Sequence, residues 1–153
     1  MNPNLLTAFF MGVLTSEKPL NFDRAIKELS KTDDVDATAA KALWAKCEAN
    51  PSKERQAMLK IKPGKLEEEI AMLSEIGDYF LMGLTVSGTD VEEMKNEELS
   101  ELLVEMEDHL LLLDEWMAEG EEGKPSAEWA DDGKKYKSEF LEIWKELEEE
   151  LAT

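Results

Sequence analysis

The sequence predicts an all-α protein, a helical bundle of about six to seven helices, and three observations support this fold class. Apolar residues recur at alternating steps of four and three, which places them on one face of an α-helix. Asparagine or aspartate precedes several of these segments, as is typical of N-caps, and glycine or proline follows them. No alternating run of β-branched residues is long enough for a strand.

Three long helices are predicted in the C-terminal half, because the apolar spacing is sustained there over several turns. Their approximate ranges are 65–84, 96–119 and 134–151. In the middle helix, Asn96 is a suitable N-cap, and Gly120 or Gly123 can supply the left-handed residue that ends it. Its buried face should comprise Leu99, Leu103, Met106, Leu110, Leu113 and Met117. The short connections predict an up-down-up arrangement of the three helices.

Two glycines in these long segments carry predictions of their own. Gly77 lies on the apolar face of the first long helix, where glycine costs roughly 1 kcal/mol of helix propensity relative to alanine. Close approach of another backbone or of a bulky ring would explain a glycine at that position. Gly133 is expected to separate a short turn that holds Trp129 from the last helix, because glycine interrupts helical patterns.

The N-terminal part, residues 1–62, predicts short helices that pack over one side of the long ones. Asn4, Asn21 and Asp36 are the predicted N-caps of the first three. A brief basic helix follows and is expected to reach Ile61. With 153 residues, the whole chain is predicted to form a single domain.

Charge divides this chain unevenly, and the division limits the classes of partner. Residues 1–62 carry ten Lys or Arg against eight Asp or Glu, a net charge of +2. Residues 63–153 carry seven against twenty-eight, a net charge of −21. The acidic part would repel nucleic acid and anionic membranes, so direct binding to either is not expected. A basic protein partner is favoured instead.

A cytoplasmic location is predicted from two features of the sequence. The apolar segment 5–14 is too short to span a bilayer, and no Lys or Arg precedes it as in a signal peptide. Cys47 is the single cysteine, so no disulfide can form within the chain, which favours a reducing compartment.

The strongest candidate surface is an acidic line along the middle helix. Between Asn96 and Gly123 there are eleven Asp or Glu and no Lys or Arg. We call the outward-facing line the acidic ridge, and its members are Glu101, Glu105, Asp108, Leu112, Glu115 and Glu119. Leu112 is the apolar member of this line, an arrangement typical of the centre of a protein contact.

The leading hypothesis is therefore a non-enzymatic module that binds a basic protein through the acidic ridge, as an adaptor, chaperone or regulator. A special case is a nucleic-acid mimic that occupies the nucleic-acid site of such a partner. No catalytic, cofactor-binding or metal-ligating residue is predicted. His109 is the single histidine, and we expect a hydrogen-bonded structural residue there because a site needs convergent partners.

Two alternatives stay open at this point. One is a small ligand- or metal-binding helical enzyme with a pocket near His109, using Glu105 and Asp78. The other is a homodimeric structural protein, motivated by the four consecutive leucines 110–113, which point to all sides of a helix. In that dimer the basic helix of residues 52–62 would meet the acidic half of the partner copy.

Overall fold

A computed structural model describes residues 1–123 and 126–152, and it confirms the all-α prediction. These residues form seven α-helices and one short 3-10 helix. The α-helices are α1 (Pro3–Thr15), α2 (Phe22–Leu29), α3 (Ala37–Ala49), α4 (Pro51–Met58), α5 (Leu66–Val86), α6 (Glu97–Glu121) and α7 (Ala127–Ala152), and the 3-10 helix is Val91–Glu93.

The chain divides into two compact units that are not contiguous in sequence. Met1–Lys60 and Ile76–Met94 form the first unit. Ile61–Glu75 and the chain from Lys95 onward form the second. The first unit therefore includes nineteen residues from beyond the predicted division at residue 62. The second unit carries eight Lys against twenty-four Asp or Glu, a net charge of −16.

Helix starts follow the predicted caps with one exception. The side chains of Asn21, Asp36 and Asn96 each accept a hydrogen bond from a backbone N–H of the first turn. In α1 the cap is Asn2 rather than Asn4, because Pro3 occupies the first helical position, where its missing N–H costs nothing. The side chain of Asn2 accepts the N–H of Asn4 at 2.8 Å. The fourth helix ends at Met58, earlier than predicted.

In the first unit, α1 and the second half of α5 touch backbone to backbone at two glycines. A Cβ built on Gly12 would lie 2.0 Å from the carbonyl oxygen of Phe80, and one on Gly83 would lie 2.2 Å from that of Phe9. Only glycine permits so close an approach. Gly77 is buried, and the close contact predicted for it stays a prediction.

Aromatic packing and polar contacts close the rest of the first unit. Phe10 meets Trp44 edge to face, with ring centroids 5.1 Å apart. The Tyr79 hydroxyl donates to Asp33 Oδ1 at 2.8 Å. These contacts join α1 to α3, and α5 to the turn after α2.

The second unit is built on an antiparallel hairpin of α6 and α7. Side chains from the start of α6 meet the end of α7, and Trp116 near the end of α6 meets Trp129 near the start of α7. This direction matches the predicted reversal between the last two long helices. The first half of α5 contacts both helices of the hairpin. Its Glu69 pairs with Lys137 on α7 at 3.1 Å.

Two tryptophans close the hairpin next to its connection. Trp116 Nε1 donates to the carbonyl oxygen of Trp129 at 2.7 Å, and Trp129 Nε1 donates to that of Trp116 at 2.9 Å. The two rings stack with centroids 4.1 Å apart and planes inclined by 5°. The contact is reciprocal, so each indole satisfies its own N–H on the opposite helix.

The predicted break at Gly133 is wrong, because α7 continues through it. A Cβ on Gly133 would lie 2.2 Å from Trp116 Cζ2, and one on Gly120 would lie 2.4 Å from Trp129 Cζ2. Each glycine lies four residues after the tryptophan of its own helix, and it leaves room for the tryptophan ring of the other helix. These glycines therefore serve packing within helices, while Gly123, at φ 75°, adopts the left-handed conformation after α6.

Candidate functional site

An acidic groove lies between α6 and α7 at the end of the hairpin away from the tryptophans. Asn96 organises this end. Its side-chain oxygen caps α6 by accepting the N–H of Leu99 at 3.1 Å, and its Nδ2 donates to Glu150 Oε1 at 3.0 Å. The cap of one helix thus holds the end of the other.

Six glutamates and one leucine line the groove, which encloses about 360 Å³. No lysine or arginine is among these lining residues. We call this set the acidic groove, and its members are Glu98, Glu101, Leu102, Glu105, Glu146, Glu149 and Glu150. Two of them, Glu101 and Glu105, also belong to the acidic ridge, so the two surfaces are continuous.

Two carboxyl groups of the groove, those of Glu98 and Glu150, interact with each other. A hydrogen bond to Glu150, together with the negative charge of Glu150, raises the pKa of Glu98 above the ordinary glutamate value. Two carboxylates can form such a bond only when one of them is protonated. Because no Lys or Arg is among the lining residues, the groove has no countercharge of its own.

The acidic ridge lies at the surface, as its pattern predicts. Glu101, Glu105, Asp108, Glu115 and Glu119 are all exposed. Within residues 1–123 and 126–152, none of these five side chains forms an ion pair. Their charge is thus exposed to solvent.

The apolar member of this face differs from the predicted one. Leu112 is half-buried, because its neighbours one turn away, His109 and Trp116, are both buried. The leucine that is exposed to solvent is Leu111, whose relative exposure is 63%. Leu110 and Leu113 are buried, so the four leucines are covered on one side only.

The contribution of α7 was missed by sequence reasoning. Glu146, Glu149 and Glu150 complete the groove, whereas the predicted surface residues all lie on α6. A usable signal was present: the last turn of α7 carries no basic residue, although the negative end of a helix dipole favours Lys or Arg. Acidic residues there cost helix stability.

His109 lies in the interior of the hairpin, where its ring is held by α7. It is buried, and its Nε2 lies 2.8 Å from the carbonyl oxygen of Tyr136. Its ring stacks on Phe140, with centroids 5.7 Å apart and planes inclined by 8°. These contacts account for the ring face and for Nε2, and Glu105 lines the acidic groove rather than a pocket with His109.

Other reactive groups give no support to a catalytic or metal centre. Burial raises the pKa of Cys47 to about 12, assisted by the charges of Glu54 and Glu48, so the thiolate nucleophile is suppressed. Among the residues that the structure describes, no group of three or more His, Cys, Asp or Glu side chains could hold a metal ion.

Comparisons of this chain with protein-family models, curated proteins and solved structures gave no match. None of the helices in the described ranges is long and apolar enough to cross a membrane.

Proposed function

We propose that this chain is a non-enzymatic interaction module that binds a basic protein through the acidic groove and the acidic ridge. The groove carries the proposal, because six glutamates converge there with no basic residue in the lining. Like charges at this density oppose folding, and a basic partner would relieve that repulsion. A surface whose side chains lower the stability of the fold is typical of a functional site.

The helix dipole adds independent support. Glutamates in the last turn of α7 face the negative end of that helix, where they cost stability rather than add it. Simple solubility could be met by acidic residues elsewhere on the surface. A partner that brings Lys or Arg side chains to the groove would neutralise both the carboxylates and the dipole.

The partner would act as an adaptor target, client or regulated protein, and the site of action that we propose is the cytoplasm. Cys47 is free and buried, which suits a reducing compartment. The His109 enzyme gains no separate support, because His109 is engaged by Tyr136 and Phe140. The homodimer loses part of its motive, because Leu110 and Leu113 are buried within the chain.

Affinity capture from the native cell lysate, with bound proteins identified by mass, tests this function when two charge-matched variants are compared. The groove variant replaces Glu101, Glu105, Glu146 and Glu149 by Gln. The control variant replaces four exposed glutamates outside the groove and the ridge, Glu67, Glu68, Glu92 and Glu93, by Gln. Both variants change the net charge equally.

We expect the wild type and the control to retain the same basic protein and to release it at raised salt. The groove variant should lose at least about fourfold in affinity, since it removes four exposed ion pairs that contribute about 0.2–1 kcal/mol each. Equal losses of affinity in both variants would show that only the net charge matters, and they would reject the groove as the binding site. Recovery of the chain alone would reject the proposal in favour of the homodimer.

A further inference from the structure

An apolar line runs along the outer face of α6, beside the acidic ridge. Val104, Leu111 and Ala118 are spaced by seven residues, which is close to two helical turns and keeps them on one side. Val104 is half-buried, whereas Leu111 and Ala118 are exposed. Leu111 and Met1 are the two large hydrophobic residues that stand exposed in the described part of the chain.

Acidic side chains border the centre of this line on both sides. On a helix, the surface neighbours of a residue lie three and four positions away. For Leu111 these neighbours are Glu107, Asp108, Asp114 and Glu115. The face therefore has an apolar centre and negative edges. A single exposed leucine is ordinary on a protein surface. Here the half-buried Val104 and the exposed Ala118 continue it along the same side of the helix, and acidic residues lie beside it.

Charge determines which occupant this face fits. A second copy that packed α6 against α6 would bring these acidic edges together, because α6 contains no Lys or Arg. An anionic membrane is disfavoured for the same reason. An amphipathic helix with an apolar stripe between Lys or Arg side chains fits this face. Its stripe would cover Leu111, and its basic side chains would pair with the acidic residues on both sides.

We infer that the Val104–Leu111–Ala118 line docks a basic amphipathic helix of the partner protein, with Leu111 as its apolar anchor. This inference rests on the proposed function and names the kind of partner segment that the acidic surface receives. Lys or Arg side chains flanking the apolar stripe of the partner helix pair with the acids beside Leu111, and the stripe covers Leu111 itself.

Two synthetic helical peptides with equal numbers of lysines test this docking by fluorescence anisotropy. One carries leucines at helical spacing, and the other carries alanine at those positions. We expect the wild-type chain to bind the Leu/Lys peptide about tenfold more tightly than the Ala/Lys peptide, since burying a leucine contributes that much. Leu111→Ser should reduce this preference to less than about threefold, and Leu111→Met should preserve it.

A thermal melt checks that Leu111→Ser keeps the fold, as its 63% exposure predicts. If the preference for the Leu/Lys peptide survives Leu111→Ser in the folded variant, the docking on this line is overturned. That result would leave the proposed function untouched, because capture through the acidic groove depends on charge and is tested by its own variants. A preference that Leu111→Met also removes would equally contradict a hydrophobic anchor.

Discussion

The two ends of the α6–α7 hairpin are built on opposite principles. Near the connection, Trp116 and Trp129 exchange hydrogen bonds and stack at 4.1 Å, so every polar group of the pair is satisfied. At the far end, a hydrogen bond to Glu150 and the negative charge of Glu150 raise the pKa of Glu98 in a groove lined by glutamates. The difference is physical: one end holds the helices together through satisfied indole groups, and the other gathers carboxylates with no basic residue in the lining.

The largest expected effect is at the tryptophan end, from Gly133→Ala. The new Cβ would lie 2.2 Å from Trp116 Cζ2, so the indole must move away from its stacked and hydrogen-bonded position. We expect a loss of about 2–3 kcal/mol in the free energy of unfolding, after the helix propensity gained by alanine is offset by overpacking and lost ring contacts. Urea unfolding measures it.

Gly64→Ala is the matched control for this substitution. Its Cβ would meet only the movable carboxylate of Glu68, so the change should be neutral or stabilise by up to about 1 kcal/mol. If Gly133→Ala were equally harmless, the tryptophan contact would not hold the hairpin, and the contrast between its two ends would fail.

A smaller effect is expected from Trp129→Phe, which removes the bond from Nε1 to the Trp116 carbonyl. We expect a loss of about 1–2 kcal/mol, from one buried hydrogen bond and part of the stacking area. Trp116→Phe should cost a similar amount, because the contact is reciprocal. In a double-mutant cycle, the loss of the double variant should differ from the sum of the two single losses by more than about 0.5 kcal/mol. Additive losses would contradict a direct interaction between the two tryptophans.

The smallest effect is expected at the groove, where Glu150→Gln should raise the melting temperature at neutral pH. The substitution removes one carboxylate charge and keeps an oxygen that can accept from Asn96. Because the pKa of Glu98 is raised in the folded state, the fold binds its proton more tightly than the unfolded chain does. The stability of the wild type should therefore rise as pH falls through the pKa of Glu98.

The advantage of Glu150→Gln should accordingly shrink as the pH is lowered from neutral toward the ordinary glutamate pKa. Melting curves across this range, recorded at constant salt, measure the difference. Glu149→Gln is the control: it lowers the charge of the same groove without removing the partner of Glu98, so the pH dependence should persist. A constant difference between Glu150→Gln and the wild type would show that Glu150 does not raise the pKa of Glu98.

Local rules were enough to predict most of the helices, although not the start of α7. Asn21, Asp36 and Asn96 cap the helices that they were expected to cap, because a cap bonds to N–H groups only two or three residues away. The buried face of α6 likewise follows from its spacing, and Leu99, Leu103, Met106, Leu110 and Leu113 are buried. Met117 is half-buried, since Trp116 turns inward beside it.

The acidic surface was predicted in part. The five carboxylates of the ridge are exposed, as a stripe opposite an apolar seam must be. The choice between Leu111 and Leu112 was decided by the other side of the helix, where His109 and Trp116 draw Leu112 toward the core. Helical spacing alone places these two adjacent leucines only about a quarter turn apart.

By itself, the sequence determined the fold class, most helix starts and the excess of negative charge, since these depend on residues close together in the chain. Only the tertiary structure decided the role of Gly133 and the closing of the groove by Glu146, Glu149 and Glu150. Both depend on the register between α6 and α7. That register is determined by packing between the helices, because the periodicity of one helix does not specify which residue of another lies opposite it.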